Sequence, residues 1–338
     1  MMDSLFPINF SNSMLSGLSC ELRWYRSNCQ KLSFEKKNSD LIAGGHFAKG
    51  CEIIRRSYFN EGLSVEEAIE LGIISILEGE DTGDMLKSND RMAQCLEKYF
   101  KRFPLDNTLQ PCRLVDNSYA IEYDFEFDLG LPHPELSGVN LKYKGKLDML
   151  AEREISKGVY HIVVVDEKTT KTVSRVNGTK SKSHPNGIPD LDKETNSYRT
   201  DSQLLGYHWA ARQLGIKTQE GLIRKVPILT QHEDAFELIV PVTQYQIDMW
   251  YETMINTVSS LLAKYNQLKK HNALPYQYFL PVLNGYGCTN FGERCRYMEG
   301  CLTKHGENIL ESTFQQTVWD SAKQESITLK QYKEERGL

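Results

Sequence analysis

The sequence predicts an α/β protein. Strands and flanking helices form layers, behind a helical N-terminal part and ahead of a cysteine-rich loop near the C-terminus. Three observations carry this. The chain up to about residue 103 places apolar residues at helical spacing. The stretch YAIEYDFEFDLGL then alternates apolar and charged side chains, as a half-buried strand does. Beyond it, apolar strand runs are interleaved with helical patterns, which points to a layered α/β or α+β domain.

Residues 12–30 and 41–60 read as helices. In the second, Leu41, Phe47, Ile53, Ile54 and Tyr58 fall near one stripe, although Gly44, Gly45 and Gly50 weaken its propensity. Residues 64–78 and 86–103 also read as helices, with EDTG as the break between them. Ile121, Tyr123, Phe125 and Phe127 share one face of the first strand, and Glu122, Asp124, Glu126 and Asp128 the other. VNLKYKGKLDML alternates in the same way. Residues 159–168 form a more apolar strand. A helix follows at 200–214, strands at 220–229 and 234–242, and a long helix at 244–270.

Residues 171–199 hold little apolar content and much Ser, Asn, Gly and Pro, so a long loop is expected there. Lys171, Arg175, Lys180 and Lys182 make its first half basic. That is either a solvated loop or a grip on a polyanion. No internal repeat is visible.

Of the 338 residues, 40% are hydrophobic and 25% charged, an ordinary globular balance. A net charge of −5 argues against a globally basic nucleic-acid coat but leaves room for a local basic groove. No apolar run is long enough to span a bilayer. The N-terminus lacks the basic and apolar regions of a secretory signal. A cytoplasmic protein is expected, whose eight cysteines are thiols or metal ligands rather than disulfides.

The chemistry concentrates where the apolar strand ends, at Asp166-Glu167-Lys168. Residues two apart in a strand share a face, so Asp166 and Lys168 point together and Glu167 points away. Asp148 ends the preceding strand. Antiparallel pairing would bring the two carboxylates together. Close carboxylates repel unless a cation joins them, and Mg²⁺ or Mn²⁺ would suit such oxygen ligands. A lysine beside them could orient a water for phosphodiester hydrolysis. A surface ion pair at a strand end is the plainer alternative. Gln203 and Tyr207, at i and i+4, share a face of the next helix. They form either an ordinary helix surface or a support for phosphate or base.

The order GKLD, DEK, QLLGY resembles the GxxD, (D/E)xK and QxxxY motifs of the PD-(D/E)XK nuclease superfamily, in its RecB-like branch. The resemblance implies a restriction-endonuclease-like fold with a mixed central sheet flanked by helices. It makes Asp148, Asp166 and the backbone carbonyl of Glu167 ligands of Mg²⁺ or Mn²⁺. Lys168 becomes the catalytic lysine, and Gln203 and Tyr207 supports of the site and its DNA. It also implies one nuclease domain over 1–338. Within it lie a helical part (12–110), a catalytic sheet and helix (115–242), a helix with the cysteine segment (243–305), and a tail (306–338).

Many relatives carry a histidine ligand in a GxxxH setting before a glutamate. Here LIAGGHFAKGCEIIRR puts Ala48 at that position, and His46 lies two residues earlier, about 200° away around a helix. Either local distortion recruits His46 as a ligand or the site lacks it, and the second reading is preferred. Glu52 follows, and a solvated side chain is the preferred reading of it.

Cys288, Cys295 and Cys301 crowd into GYGCTNFGERCRYMEGC. Their spacing fits zinc poorly, and an iron–sulfur cluster needs a fourth thiolate. RecB-like relatives in the AddB group and the CRISPR-associated exonucleases hold a [4Fe–4S] cluster with one N-terminal and three C-terminal cysteines. By that resemblance the ligands are Cys20, Cys288, Cys295 and Cys301, with Cys29 as a rival for the first position. The cluster would staple the chain ends. Cys51, Cys95 and Cys112 read as ordinary thiols. Tails of this kind are expected in phage-encoded members, in which case the location is the host cytoplasm.

The implied function is a metal-dependent DNase, an exonuclease by analogy, acting on DNA ends or single strands in recombination, repair or replication. No helicase fingerprint occurs, so a motor or recombination protein would be a separate partner. The alternatives are a nucleic-acid-binding protein of the same fold without catalysis, and a zinc-stabilised structural module.

Overall fold

A computed structural model describes residues 4–33, 39–105, 109–170, 176, 189–228, 235–282, 288–290, 293–303, 305–320 and 325–335. The chain divides into two units. One comprises Met1–Lys36, Glu126–Lys144 and Glu252–Leu338, the other Lys37–Phe125 and Gly145–Tyr251. The architecture is mixed α/β, with a central mixed sheet flanked by helices and a helical N-terminal region.

In the second unit the apolar run lies in β6 (Val159–Thr170). β6 pairs antiparallel with β5 (Asn140–Ser156) and parallel with β7 (Glu220–Pro227). β7 pairs antiparallel with β8 (Phe236–Pro241). β3 (Leu109–Pro111) and β4 (Ile121–Pro132) also pair with β5. Both faces of β6 are covered, so Val163, Val164 and Val165 are all fully buried. A strand buried on both faces reads as continuous apolar sequence rather than alternation.

Three helices pack together: α3 (Ser39–Phe59), α4 (Val65–Leu77) and α5 (Asn89–Arg102). Their core joins Phe47, Ile54, Ile76, Leu96 and Phe100 to Val226 and Ile228 at the end of β7. One of the three glycines of α3, Gly50, has a packing reason. A Cβ on Gly50 would meet Leu96 at 2.8 Å and Ile76 at 3.1 Å. Ser64 caps α4 in a reciprocal capping box with Glu67.

The parallel β6–β7 pair requires a crossover. Residues 171–190 lead into α6 (Leu191–Tyr198) and α7 (Ser202–Gln213), which precede β7. The expected loop over 171–199 is therefore corrected at its end, where 191–198 is helical. Polar residues hide that helix from a periodicity reading, but Asp190 caps it by accepting from Lys193 N–H, and Asp192 and Glu194 favour its first turn. Lys171, Arg175, Lys180 and Lys182 lie outside the described residues.

In the first unit the helix expected over 12–30 is two helices, α1 (Asn12–Ser16) and α2 (Glu21–Asn28). A 3₁₀ turn at Gly17–Ser19 intervenes, and Cys20 is extended (φ −144°, ψ 109°). β1 (Asn9–Phe10) pairs parallel with β5 at Lys142 and Tyr143. Phe6, Phe10, Trp24, Tyr265 and Phe279 form an aromatic core. β2 (Leu32–Ser33) pairs antiparallel with Gln315 and Gln316, so early and late segments of the chain share a sheet. The segment after Cys301 folds as a helix (Gly306–Thr313), a hairpin and a short helix (Leu329–Glu334). The last long helix is α8 (Gln244–His271). Among the described residues no helix is long and apolar enough to cross a membrane.

Candidate active site

The antiparallel register of β5 and β6 sets Met149 opposite Val165. Asp148 and Asp166 are the next residues outward on the two strands. Asp148 Oδ2 accepts the Glu167 backbone N–H at 2.8 Å. Asp166 is 1% exposed, and its Oδ1 accepts from Lys168 Nζ at 2.8 Å. The same Nζ donates to Gln203 Oε1 at 3.0 Å, and Gln203 Nε2 donates to Tyr207 OH at 2.6 Å. One hydrogen-bonded chain thus links the end of β6 to one face of α7, as the strand and helix periods predict.

The glycine of GKLD has a physical role. A Cβ on Gly145 would lie 2.4 Å from Phe125 Cζ. Phe125 in turn packs edge-on against Tyr207, with ring centroids 6.3 Å apart. Asp201, two residues before Gln203, caps α7 through Leu204 N–H at 2.8 Å and so fixes where the helix begins.

The electrostatics follow from burial. Burial, then the Asp166 charge, pushes Asp148 well above the ordinary carboxylate range. Burial raises Asp166 too, against the opposing pull of Lys168. Burial disfavours the Lys168 ammonium, yet Asp166 and Asp148 hold it above the usual lysine value. Asp201 adds negative charge beside both Asp166 and Lys168. The site therefore holds more carboxylate than its one lysine balances, a donor set suited to a hard divalent cation.

Glu167 points to the opposite face, as expected. Its side chain is 2% exposed and is held by Arg55 of α3 and Tyr99 of α5, with Arg55 Nη1 at 2.8 Å from Oε2. Burial would raise Glu167, but Arg55 and Tyr99 outweigh it and hold it below the ordinary value. A periodicity reading misses Arg55, because a basic residue inside a helix looks solvated.

His46 is not brought to the acids by any hydrogen bond or ion pair among the described residues. Its ring lies against Gly79, where an added Cβ would sit 2.8 Å from Nε2, and its Nδ1 is buried with no hydrogen-bond partner among the described residues. Glu52 is not simply solvated: it pairs with Lys49 and Arg56, each at 3.1 Å, and lies 3.6 Å from Lys146. Lys146 also pairs with Glu122 at 2.8 Å. Glu122 sits on the nominally polar face of β4 yet is 7% exposed, with φ +47°. Its charge bears on Asp148.

Around the cysteines, Arg26 is the hub. Its side chain is 2% exposed and donates to Cys301 Sγ at 2.9 Å, to the carbonyls of Tyr297 and Gly300, and to Glu307. Burial raises the Cys301 thiol, Arg26 opposes that, and Cys20 and Cys295 add smaller upward contributions. Cys295 N–H donates to Cys288 O at 2.7 Å. Among the described residues no three His, Cys, Asp or Glu side chains are grouped closely enough to hold a metal ion between them.

No protein-family profile matches the chain, and no curated protein does. Among solved structures, the chain is similar to the crystal structure of a "Putative exonuclease" from Eubacterium rectale. The TM-score is 0.41 and the identity 14%, over 79% of this chain and 83% of that one.

Proposed function

We propose that the chain is a metal-dependent deoxyribonuclease with the site Asp148, Asp166, Lys168, Gln203 and Tyr207. The carrying observation is the pair of desolvated acids on adjacent strands, tied through Lys168 to the Gln203–Tyr207 face. Two carboxylates fit Mg²⁺ or Mn²⁺, which keep several waters and do not require a cage of three or more protein side chains. Asp148, Asp166 and the Glu167 carbonyl would hold the ion. When bound, it activates water and neutralises charge on the phosphate.

The chain's own groups do the rest. Lys168 is a donor, and its ammonium can point a water or a phosphate oxygen toward the acids. Gln203 fixes that ammonium from the other side, and Tyr207 fixes Gln203. Action on DNA ends or single strands, as an exonuclease in recombination, repair or replication, is part of the same proposal. So are a cytoplasmic location and a separate helicase or recombination partner.

Purified protein with Mg²⁺ or Mn²⁺ should digest end-labelled DNA, and Lys168→Ala should slow it by about 10²–10⁴-fold. Binding without cleavage in either metal would favour a nucleic-acid-binding protein of this fold. Equal digestion by both proteins would point to contamination.

A [4Fe–4S] cluster on Cys20, Cys288, Cys295 and Cys301 is a second proposal. Four thiols in one unit, two of which (Cys20 and Cys295) bear on the Cys301 thiol, supply the donor type. Among the described residues the sulfurs are not gathered into one group. Anaerobic protein should be brown and carry four irons; colourless protein with stoichiometric zinc would remove the cluster.

A further inference from the structure

Glu167 is the residue between the two site residues of β6, and its side chain takes no part in the acid face. The sequence could have placed a valine there, as it does at 163 and 165. Instead it buries a carboxylate and surrounds it with matched donors. Arg55 holds both carboxylate oxygens, and Tyr99 OH donates to one of them. Tyr99 OH also accepts from Arg224 Nη1 at 3.4 Å, and Arg224 Nε donates to Glu237 at 3.0 Å. Arg55 and Tyr99 are themselves 2% and 0% exposed.

A buried ion pair of this kind is weak evidence for stability, since apolar pairs of similar volume often do as well. What a guanidinium fork adds is geometry, because two parallel hydrogen bonds fix both the direction and the rotation of its partner. Here the partner's backbone matters. The Glu167 N–H is the group that holds Asp148 Oδ2, and the residues on either side project Asp166 and Lys168. Locking the side chain of 167 on one face of the sheet sets the peptide that organises the other face.

We propose that Arg55 is a positioning residue: through the buried Glu167 carboxylate it fixes the 166–168 peptides and thereby the carboxylate pair that binds the divalent ion. This rests on the nuclease reading for its metal, but not for its geometry. Partners behind a metal site typically change metal affinity by about 10–100-fold when lost.

The test compares wild type with the double variant R55M/E167M, which replaces the pair by apolar side chains, and with R55K, which keeps charge but not the fork. Two measurements are made: amide hydrogen exchange at residue 167, and Mn²⁺ titration followed by electron paramagnetic resonance. In the folded double variant, exchange at 167 should quicken at least about tenfold and the Mn²⁺ midpoint rise by about 10–100-fold, while the cooperative melt is retained. R55K should move both readouts in the same direction by less, and it carries the test if the double variant does not fold. Wild-type exchange at residue 167 in a folded variant would overturn the proposal. If wild type neither binds Mn²⁺ nor cuts DNA, the nuclease reading fails, and the exchange comparison still decides the positioning claim.

Discussion

Asp166 and Glu167 are chain neighbours, both acids and both cut off from water, yet burial has opposite outcomes for them. On the face toward α7, Asp166 meets Asp148 and Asp201 with a single lysine between them, and the acids are held above their ordinary range. On the face toward α3, Glu167 meets a guanidinium and a phenol, and it is held below. The same cost of desolvation is offset on one face and left standing on the other. One acid is structurally satisfied; the other pair keeps a surplus of negative charge, which the proposed divalent ion would offset.

The largest expected effect breaks the satisfied face. Glu167→Ala leaves Arg55 buried without its partner and should cost about 3–5 kcal/mol, read by urea denaturation. Asp166→Asn should cost far less in metal-free protein, because it removes a charge from a crowded site. Equal losses would erase the contrast between the faces.

Next comes pH, which should move the faces in opposite directions. Asp148 and Asp166 bind their protons more tightly folded than unfolded. Their contribution is complete below the ordinary carboxylate pKa and is lost as pH rises through the folded values. Glu167 contributes above the ordinary carboxylate pKa and loses that contribution as pH falls. Metal-free Asp148→Asn should therefore melt about 2–4 °C above wild type at pH 8, and the gap should close toward pH 4. A gap that widens on acidification would reverse the assignment.

The smallest effect sharpens the α7 face. Tyr207→Phe removes one hydrogen bond to Gln203 and should cost about 0.5–1.5 kcal/mol. Activity should fall less than about tenfold, because Lys168 keeps its bonds to Asp166 and Gln203. A loss as large as that of Lys168→Ala would mean that Tyr207 itself touches the reacting atoms.

Much of the acid face was legible because strand and helix periods are local rules. A period of two put Asp166 with Lys168 and Glu167 opposite, and i,i+4 put Gln203 with Tyr207. The grip on Glu167 was not legible, since Arg55 is 112 residues away and no local pattern marks a buried guanidinium. Glu122 was hidden for the converse reason: perfect alternation assigned it to solvent, while the left-handed backbone at that residue and the Lys146 pair turn it inward. The helix at 191–198 carries no apolar stripe, so its caps rather than its period give it away.

The central claim is that the carboxylates of Asp148 and Asp166 share one divalent ion. Crystals grown with Mn²⁺ and measured at the manganese edge test it most directly. An anomalous peak bonded to both carboxylates, absent in Asp166→Asn, is the predicted result. Electron density showing the two acids paired only with Lys168 at saturating Mn²⁺, and manganese elsewhere or nowhere, would contradict it.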